Sequence, residues 1–294
     1  MTRAPLVYIV VLNYNNYDDT VETIESIERL DYENYKILLV DNGSEKEVVE
    51  RIRERFPELR IVETGKNLGY AGGNNFGIRV ALSEGAEYVL VLNNDIVLES
   101  DALKKMVEIM EKEANCAACQ PLVKFYKERE KIWSAGTKMF LGYPRLYLKG
   151  KKEAIEDVFE APFGLSGCAI LVRASAFRDI GLFDERLFLM HEETEWCVRA
   201  KKKGYKLLVV ASAVVYHKVS ATLGFLSEKY LYYVSRNWLI VARSLGLKGY
   251  IFAVVTEFLV RLPYYLVLLL MRKRIRPLGS YLRGVLHGLC GRAS

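Results

Sequence analysis

Residues 6–19 read LVYIVVLNYNNYDD. The apolar run Leu6–Leu12 is rich in β-branched residues and stops abruptly at asparagine, the pattern of a strand buried on both faces of a parallel sheet. Three more runs, Lys36–Val40, Arg60–Val62 and Glu87–Leu92, have the same character. Helical periods lie between them. Val21, Ile24, Ile27 and Leu30 follow Asp18 and Asp19, which can cap, and Ser44 with Glu47 forms a capping box ahead of Val48, Val49, Ile52 and Phe56. Ser100 precedes Leu103, Met106, Val107 and Met110 in the same way. This alternation predicts an α/β fold, a doubly wound sheet flanked by helices. It also makes Leu6–Leu12 a first strand rather than a secretion signal, since no small-residue cleavage site follows it.

The chain has 294 residues, enough for one large or two modest domains. With 51% hydrophobic and 27% charged residues it is neither disordered nor collagen-like. Its net charge of +6 hides an asymmetry: residues 201–294 carry 16 basic against 2 acidic side chains, which leaves residues 1–200 at −8. A basic tail suits nucleic acid or anionic lipid. Residues 250–271, YIFAVVTEFLVRLPYYLVLLLM, followed by Arg272, Lys273, Arg274 and Arg276, decide for lipid and against nucleic acid. The stretch is long enough to span a bilayer but contains Glu257, Arg261 and Pro263, so an interfacial or re-entrant helix is expected, with a buried homodimer contact as the alternative. Five scattered cysteines indicate a reducing compartment, and the Cys116-x-x-Cys119 pair lacks the second pair or histidine that a zinc site needs.

Past residue 115 the alternation loosens. Gln120–Phe125, Ala169–Val172 and Leu207–Val210 read as further strands, Ile132–Lys152 as an insertion that shapes the substrate site, and residues 226–294 as helices running to a basic end. The organisation expected is a catalytic domain over 1–225, split at about 115 into donor and acceptor halves, and a helical membrane-associating tail over 226–294.

Ligands of open α/β sheets bind beyond the carboxyl ends of the strands. The residues there are small and polar: Asn13-Tyr14-Asn15-Asn16, Asp41-Asn42-Gly43-Ser44, the loop Asn67 to Asn75, and Asn93-Asn94-Asp95. Any one of these is an ordinary turn. Four at one sheet edge are not. A dinucleotide site is excluded, because NYNNYD offers no glycine where the first strand meets its helix.

The motifs VVLNYNN, LLVDNGS, NLGYAGGNN, LVLNNDI, GLSGCAILVR and FDERLFLMHEETEWCVRAKKKGY, the last followed by VVYH, resemble glycosyltransferase family 2, with its nucleotide-sugar-binding GT-A fold, in the rhamnosyltransferase-like branch. The resemblance covers about residues 5–225. It implies an inverting, metal-dependent transfer from a nucleotide-diphosphate sugar, a dTDP-linked deoxyhexose ahead of UDP- and GDP-sugars, to a lipid-linked or polysaccharide acceptor at the cytoplasmic face of the cell membrane. It further implies Mn²⁺ or Mg²⁺ on Asp95 and His217, with Asn93 standing where relatives often carry another aspartate. Asp41 would accept from the base, Asn13, Tyr14 and Asn15 would pack on base or ribose, and Asn67, Gly69, Asn75, Asn93 and Asn94 would line the donor. Ser166 and Gly167 would border the acceptor.

Displacement by a hydroxyl calls for a carboxylate opposite the leaving group. His191-Glu192-Glu193 stands where the family carries an acidic pair, so the resemblance implies Glu193 as the base with Glu192 as its substitute. Three glutamates at a helix start would also serve the helix dipole alone. Two other functions fit the fold: a nucleotidyltransferase making an activated sugar, which would want a basic glycine-rich loop after strand one, and a non-catalytic nucleotide-binding module at the membrane. The tail is expected to locate the enzyme only, so a chain ended near residue 225 should keep nucleotide binding.

Overall fold

The computed structural model describes residues 3–153, 156–219 and 224–291. The first half alternates as expected: β1 (Val7–Asn13), α1 (Tyr17–Ile27), β2 (Tyr35–Asp41), α2 (Lys46–Arg55), β3 (Arg60–Glu63), α3 (Gly69–Ser83), β4 (Tyr88–Asn93), β5 (Ile96–Leu98) and α4 (Ala102–Lys112). There follow β6 (Cys116–Phe125), β7 (Ile132–Ser134), β8 (Thr137–Phe140), β9 (Tyr143–Leu146), β10 (Val158–Glu160), β11 (Ala169–Arg173), α5 (Ala174–Ile180), α6 (Glu192–Lys202) and β12 (Lys206–His217). The last helices are α7 (Glu228–Ala242), α8 (Gly246–Thr256), α9 (Leu262–Met271) and α10 (Pro277–Cys290), with a π-helical turn, Glu257–Arg261, joining α8 to α9.

The main sheet runs β10-β12-β6-β11-β4-β1-β2-β3, with β5 paired to β12 and β7 to β6. Strands β3, β2, β1 and β4 are mutually parallel, β11 is antiparallel to both β4 and β6, and β12 is parallel to β6. The sheet is therefore mixed. One apolar cluster packs Ile24 and Ile27 of α1, Ile52 of α2 and Met106 of α4 on one face. The other packs Ile78 of α3, Phe177 of α5 and Trp196 of α6 on the opposite face. Helices on both faces explain why the strand runs are almost uniformly apolar.

Two expected caps are replaced. Asn16, not an aspartate, caps α1, its side chain accepting from Asp19 N at 3.3 Å. Glu45 precedes α2 without a side-chain cap, and the Ser44 hydroxyl instead accepts from Asn15 N at 2.8 Å and Asn13 Nδ2 at 3.3 Å. Ser44 is spent on joining two loops. The Cys116-x-x-Cys119 pair lies inside β6, and burial pushes the Cys116 thiol up to about 11, so it is inert packing.

Helix α10 packs closely on α7. A Cβ at Gly284 would stand 2.2 Å from Ser235 Oγ, and one at Gly288 2.7 Å from the Arg236 carbonyl oxygen, so the two glycines set the helix separation. The interruptions expected in the apolar stretch turn inward: Glu257 and Arg261 are buried, paired at 2.5 Å between Oε2 and Nη1, and Tyr281 of α10 donates to Glu257 Oε1 at 2.5 Å. What faces outward is apolar, from Ile251 and Phe252 through Leu259 to Met271. One helical run, Glu228–Met271, is long and apolar enough to cross a membrane by length and composition.

Candidate active site

A cleft of about 810 Å³ opens at the carboxyl ends of β1, β2 and β4, within the range that takes a small organic ligand. Tyr14, Asn16, Asn42, Asn67, Gly69, Asn93, Asn94, Asp95 and His217 contribute to its wall. The structure thus brings together residues from all four polar loops and from the end of β12.

Register explains the pairing of Asp95 with His217. Strand β4 ends at Asn93, the chain turns through Asn94 and Asp95, and β5 leaves to pair with β12, setting His217 opposite Ile96. His217 Nε2 then lies 3.2 Å from Asp95 Oδ2, both side chains nearly buried. The Lys218 N–H donates to the Asp95 carbonyl at 3.1 Å, and Trp133 of β7 meets the imidazole edge-on at a centroid distance of 4.3 Å. A carboxylate and an imidazole converging in this way fit a divalent cation, and the His217 Nδ1 has no hydrogen-bond partner in the fold. Among the described residues no third His, Cys, Asp or Glu joins them.

Several expected donor contacts turn inward. Asn13 is fully buried: its Nδ2 donates to Asp41 Oδ1 at 3.2 Å and its Oδ1 accepts from Thr20 Oγ1 at 3.1 Å and Asn94 Nδ2 at 3.2 Å. Asp41 Oδ2 accepts from the amides of Gly43 at 3.1 Å and Ser44 at 3.0 Å. Asn75 is tied to Phe183, donating to its carbonyl at 2.9 Å and accepting from its amide at 3.1 Å. These asparagines brace the loops that carry the cleft. Asn15, at a positive φ of 52°, takes the Glu45 amide on its Oδ1 at 2.7 Å and lies outside the cleft wall. The missing side chain of Gly69, at φ +74°, makes room for protein: a Cβ there would stand 2.2 Å from the Phe188 carbonyl oxygen, which accepts the Tyr70 amide at 2.6 Å.

The two glutamates differ sharply. Glu192 is buried and its Oε1 has no hydrogen-bond partner, so burial and then the Glu193 charge raise its pKa well above the carboxylate range. Glu193 is half-buried, and burial raises its pKa despite hydrogen bonds from its own amide and from Thr194. A Cβ on Gly167 would stand 3.4 Å from Glu193 Oε2, so Gly167 borders this carboxylate, while Ser166 is held away by Gln120 and Ser134. Cys168, next in the chain, has its thiol pushed up to about 12, by burial first and with help from the charges of both Asp95 and Glu193. Both carboxylates therefore lie near one short segment.

The loop before α6 is held by α7. Phe188, Met190 and His191 all adopt left-handed φ of 61°, 75° and 73°. Asn237 Nδ2 donates to the carbonyls of Leu187, Leu189 and Met190 at 2.8, 2.7 and 2.8 Å, and Arg236 Nη2 donates to the Arg186 carbonyl. Burial, then the nearby Arg261 charge, lowers the His191 pKa to about 3, and its Nε2 meets the Tyr143 hydroxyl at 3.0 Å. Ser227, Glu228, Lys229 and Tyr233, together with Phe188, complete the cleft wall. The sequence reading gave the tail a locating role alone. In the fold its first helix is a wall of the cleft.

The sequence profile of glycosyl transferase family 2 matches residues 8–181. The low-salt glycan biosynthesis hexosyltransferase Agl10 of Haloferax volcanii is 27% identical over 265 residues, 87% of this chain and 83% of its own length. The N-acetylglucosaminyl-diphospho-decaprenol L-rhamnosyltransferase of Mycobacterium tuberculosis is 29% identical over 208 residues, 63% of this chain and 67% of its own. Among solved structures, GalNAc-T7 with UDP, GalNAc and Mn²⁺ superposes at a TM-score of 0.64 and 15% identity over 85% of this chain, which spans 52% of that one. The mannosyltransferase PcManGT of Pyrobaculum calidifontis with GDP-Man and Mn²⁺ gives 0.60 at 15% identity, covering 99% and 89% of the two chains. The mixed sheet is thus of the GT-A kind. The chain belongs to glycosyl transferase family 2 and is a glycosyltransferase.

Proposed function

We propose that this enzyme moves a sugar from a nucleotide-diphosphate donor to a lipid-linked or polysaccharide acceptor at the cytoplasmic face of a membrane, with inversion at the anomeric carbon. The observation that supports the reading is the approach of both Asp95 and Glu193 to the Gly167-Cys168 segment. A leaving-group site and a base on opposite sides of a reacting carbon are what a single displacement requires.

In this reading Tyr14 and Asn67 hold the nucleotide end of the donor, and Asp95 with His217 would hold Mn²⁺ or Mg²⁺. Such a cation neutralises charge that grows on the leaving diphosphate. Glu193 takes the proton of the acceptor hydroxyl as its oxygen bonds to the anomeric carbon. Its raised pKa makes it a stronger base than an exposed glutamate. The deeper burial of Glu192, whose Oε1 has no hydrogen-bond partner, supports Glu193 over Glu192.

A lipid-linked acceptor and a rhamnose donor are supported by relatives named for a decaprenol-linked acceptor and for dTDP-rhamnose, the latter RfbF of Shigella flexneri, 24% identical over 72% of this chain. Membrane contact is supported by the outward apolar face of α8 and α9 and by Arg272, Lys273, Arg274 and Arg276 at its end. With the inner face packed on α7 and α10, an interfacial position suits these helices better than a span.

The test is transfer from a panel of dTDP-, UDP- and GDP-sugars with Mn²⁺, with the anomeric configuration of the product read by NMR. Inversion is expected. Retention would overturn the role of Glu193 as base.

A further inference from the structure

The β8–β9 hairpin and the outer face of α8, far apart in sequence, meet in one surface. Gly142 at the hairpin turn, φ +66°, rests directly on α8: a Cβ there would stand 2.6 Å from Thr256 Oγ1 and 3.1 Å from Phe252 Cδ1. The residue that follows turns inward, the Tyr143 ring lying 3.8 Å from the Arg261 guanidinium carbon. The residues that precede it turn outward. Phe140 and Leu141 are 52% and 51% exposed, beside Phe252, itself 52% exposed, and the face continues through Val255 to Leu259 at 73%. An aromatic and a leucine at the tip of a hairpin, continuous with an apolar helix face, form a patch that soluble surfaces rarely carry.

The charge around this patch is mostly basic, with Glu228, 3.1 Å from Arg276 Nε, as an exposed acid at its border. Lys138 and Arg145 on the hairpin and Arg272, Lys273, Arg274 and Arg276 beyond α9 are exposed. The single acid between residues 243 and 291 is Glu257, buried against Arg261. A surface of exposed apolar side chains rimmed by cations complements anionic lipid headgroups over an apolar layer.

We propose that the β8–β9 hairpin tip, Phe140-Leu141, inserts into an anionic lipid surface alongside α8 and α9. The insertion expected to shape the substrate site thus becomes a second membrane contact. This rests on the membrane reading above and adds to it a point of attachment outside the tail. Two points fix a tilt where one leaves a pivot. Tyr143 carries the contact inward to His191, one residue before Glu192.

The test uses the full chain with single-cysteine variants Phe140→Cys and Leu259→Cys in a Cys290→Ala background, the other cysteines being buried. Each is labelled with an environment-sensitive fluorophore and mixed with vesicles of phosphatidylcholine, with and without phosphatidylglycerol. Both positions are exposed, so a folded chain carries the label. Both probes should brighten and shift to the blue with phosphatidylglycerol present and be quenched by nitroxide-bearing lipid. Leu141→Asp should lower vesicle partition by roughly tenfold, the loss of one large buried apolar side chain. If the probe at 259 is quenched and the probe at 140 keeps its aqueous emission, or if Leu141→Asp partitions as wild type does, hairpin insertion is wrong and the membrane reading stands. If neither probe responds to either vesicle, both fall.

Discussion

His217 Nε2 stands 3.2 Å from Asp95 Oδ2 because the end of β12, where His217 pairs with Phe125 of β6 on one side, takes β5 as an antiparallel partner on the other. The strand delivers a side chain from residue 217 to the loop that follows β4. Each residue is therefore expected to lose its role without the other.

Asp95→Asn and His217→Ala should each abolish most of the Mn²⁺-dependent part of nucleotide binding while leaving the fold intact. Calorimetric titration of nucleoside diphosphate with and without Mn²⁺ reads this. Equal affinity in the two conditions for wild type would deny the cation its place here.

Glu193→Gln should reduce transfer by about 10²–10⁴-fold with donor affinity little changed. Because burial raises the Glu193 pKa, the ionised form is lost at a higher pH than for an exposed glutamate. Wild-type kcat should therefore fall as pH drops through that raised value. The Gln variant should lack this acid limb.

Glu192→Gln should stabilise the protein at neutral and higher pH. With its pKa raised in the fold, Glu192 binds its proton more tightly folded than unfolded. The stability this gives is complete below the ordinary glutamate value of about 4.3 and is lost as pH rises through the folded value. The variant escapes that loss. Its melting temperature at pH 8 should exceed wild type by about 2 °C or more, a gain that shrinks toward pH 5.

Asn237→Ala leaves the Leu187, Leu189 and Met190 carbonyls without their shared donor, at a cost of about 1–3 kcal/mol. The loop into α6 should loosen, so kcat should fall much further than donor affinity. Asn237→Asp should be worse, since a carboxylate would face three carbonyl oxygens.

A chain ended near residue 225 loses Ser227, Glu228, Lys229 and Tyr233 from the cleft and uncovers Leu187, which packs with Trp238. Such a chain is now expected to aggregate or to lose nucleotide binding together with vesicle binding. Size exclusion followed by nucleotide titration decides.

The parallel strands and the polar loops at their ends were legible because each is written locally: an apolar run, then asparagine, aspartate or glycine. What the asparagines do there was not. Asn13 and Asn75 look identical to ligand-facing residues until partners such as Asp41 and Phe183, far off in sequence, come into range. The capping box at Ser44 and Glu47 failed for the same reason, the hydroxyl finding Asn13 and Asn15 first. Nor could the left-handed turns at Phe188, Met190 and His191 be read from residues that rarely adopt them. Their cause lies in Asn237, which periodicity alone makes one polar position in a mostly apolar helix.

The Glu257–Arg261 pair turns its charges inward while Leu259, Val267 and Met271 turn outward, so internal packing and the proposed adhesion are inscribed on different residues of one helical run. The outward set can be rewritten in serine and glutamine without disturbing a single internal bond. On the membrane contact proposed above, a detergent-free form of this transferase is to be sought by repainting α8 and α9 rather than by shortening the chain, and crystallisation or screening against soluble acceptor mimics could begin from it.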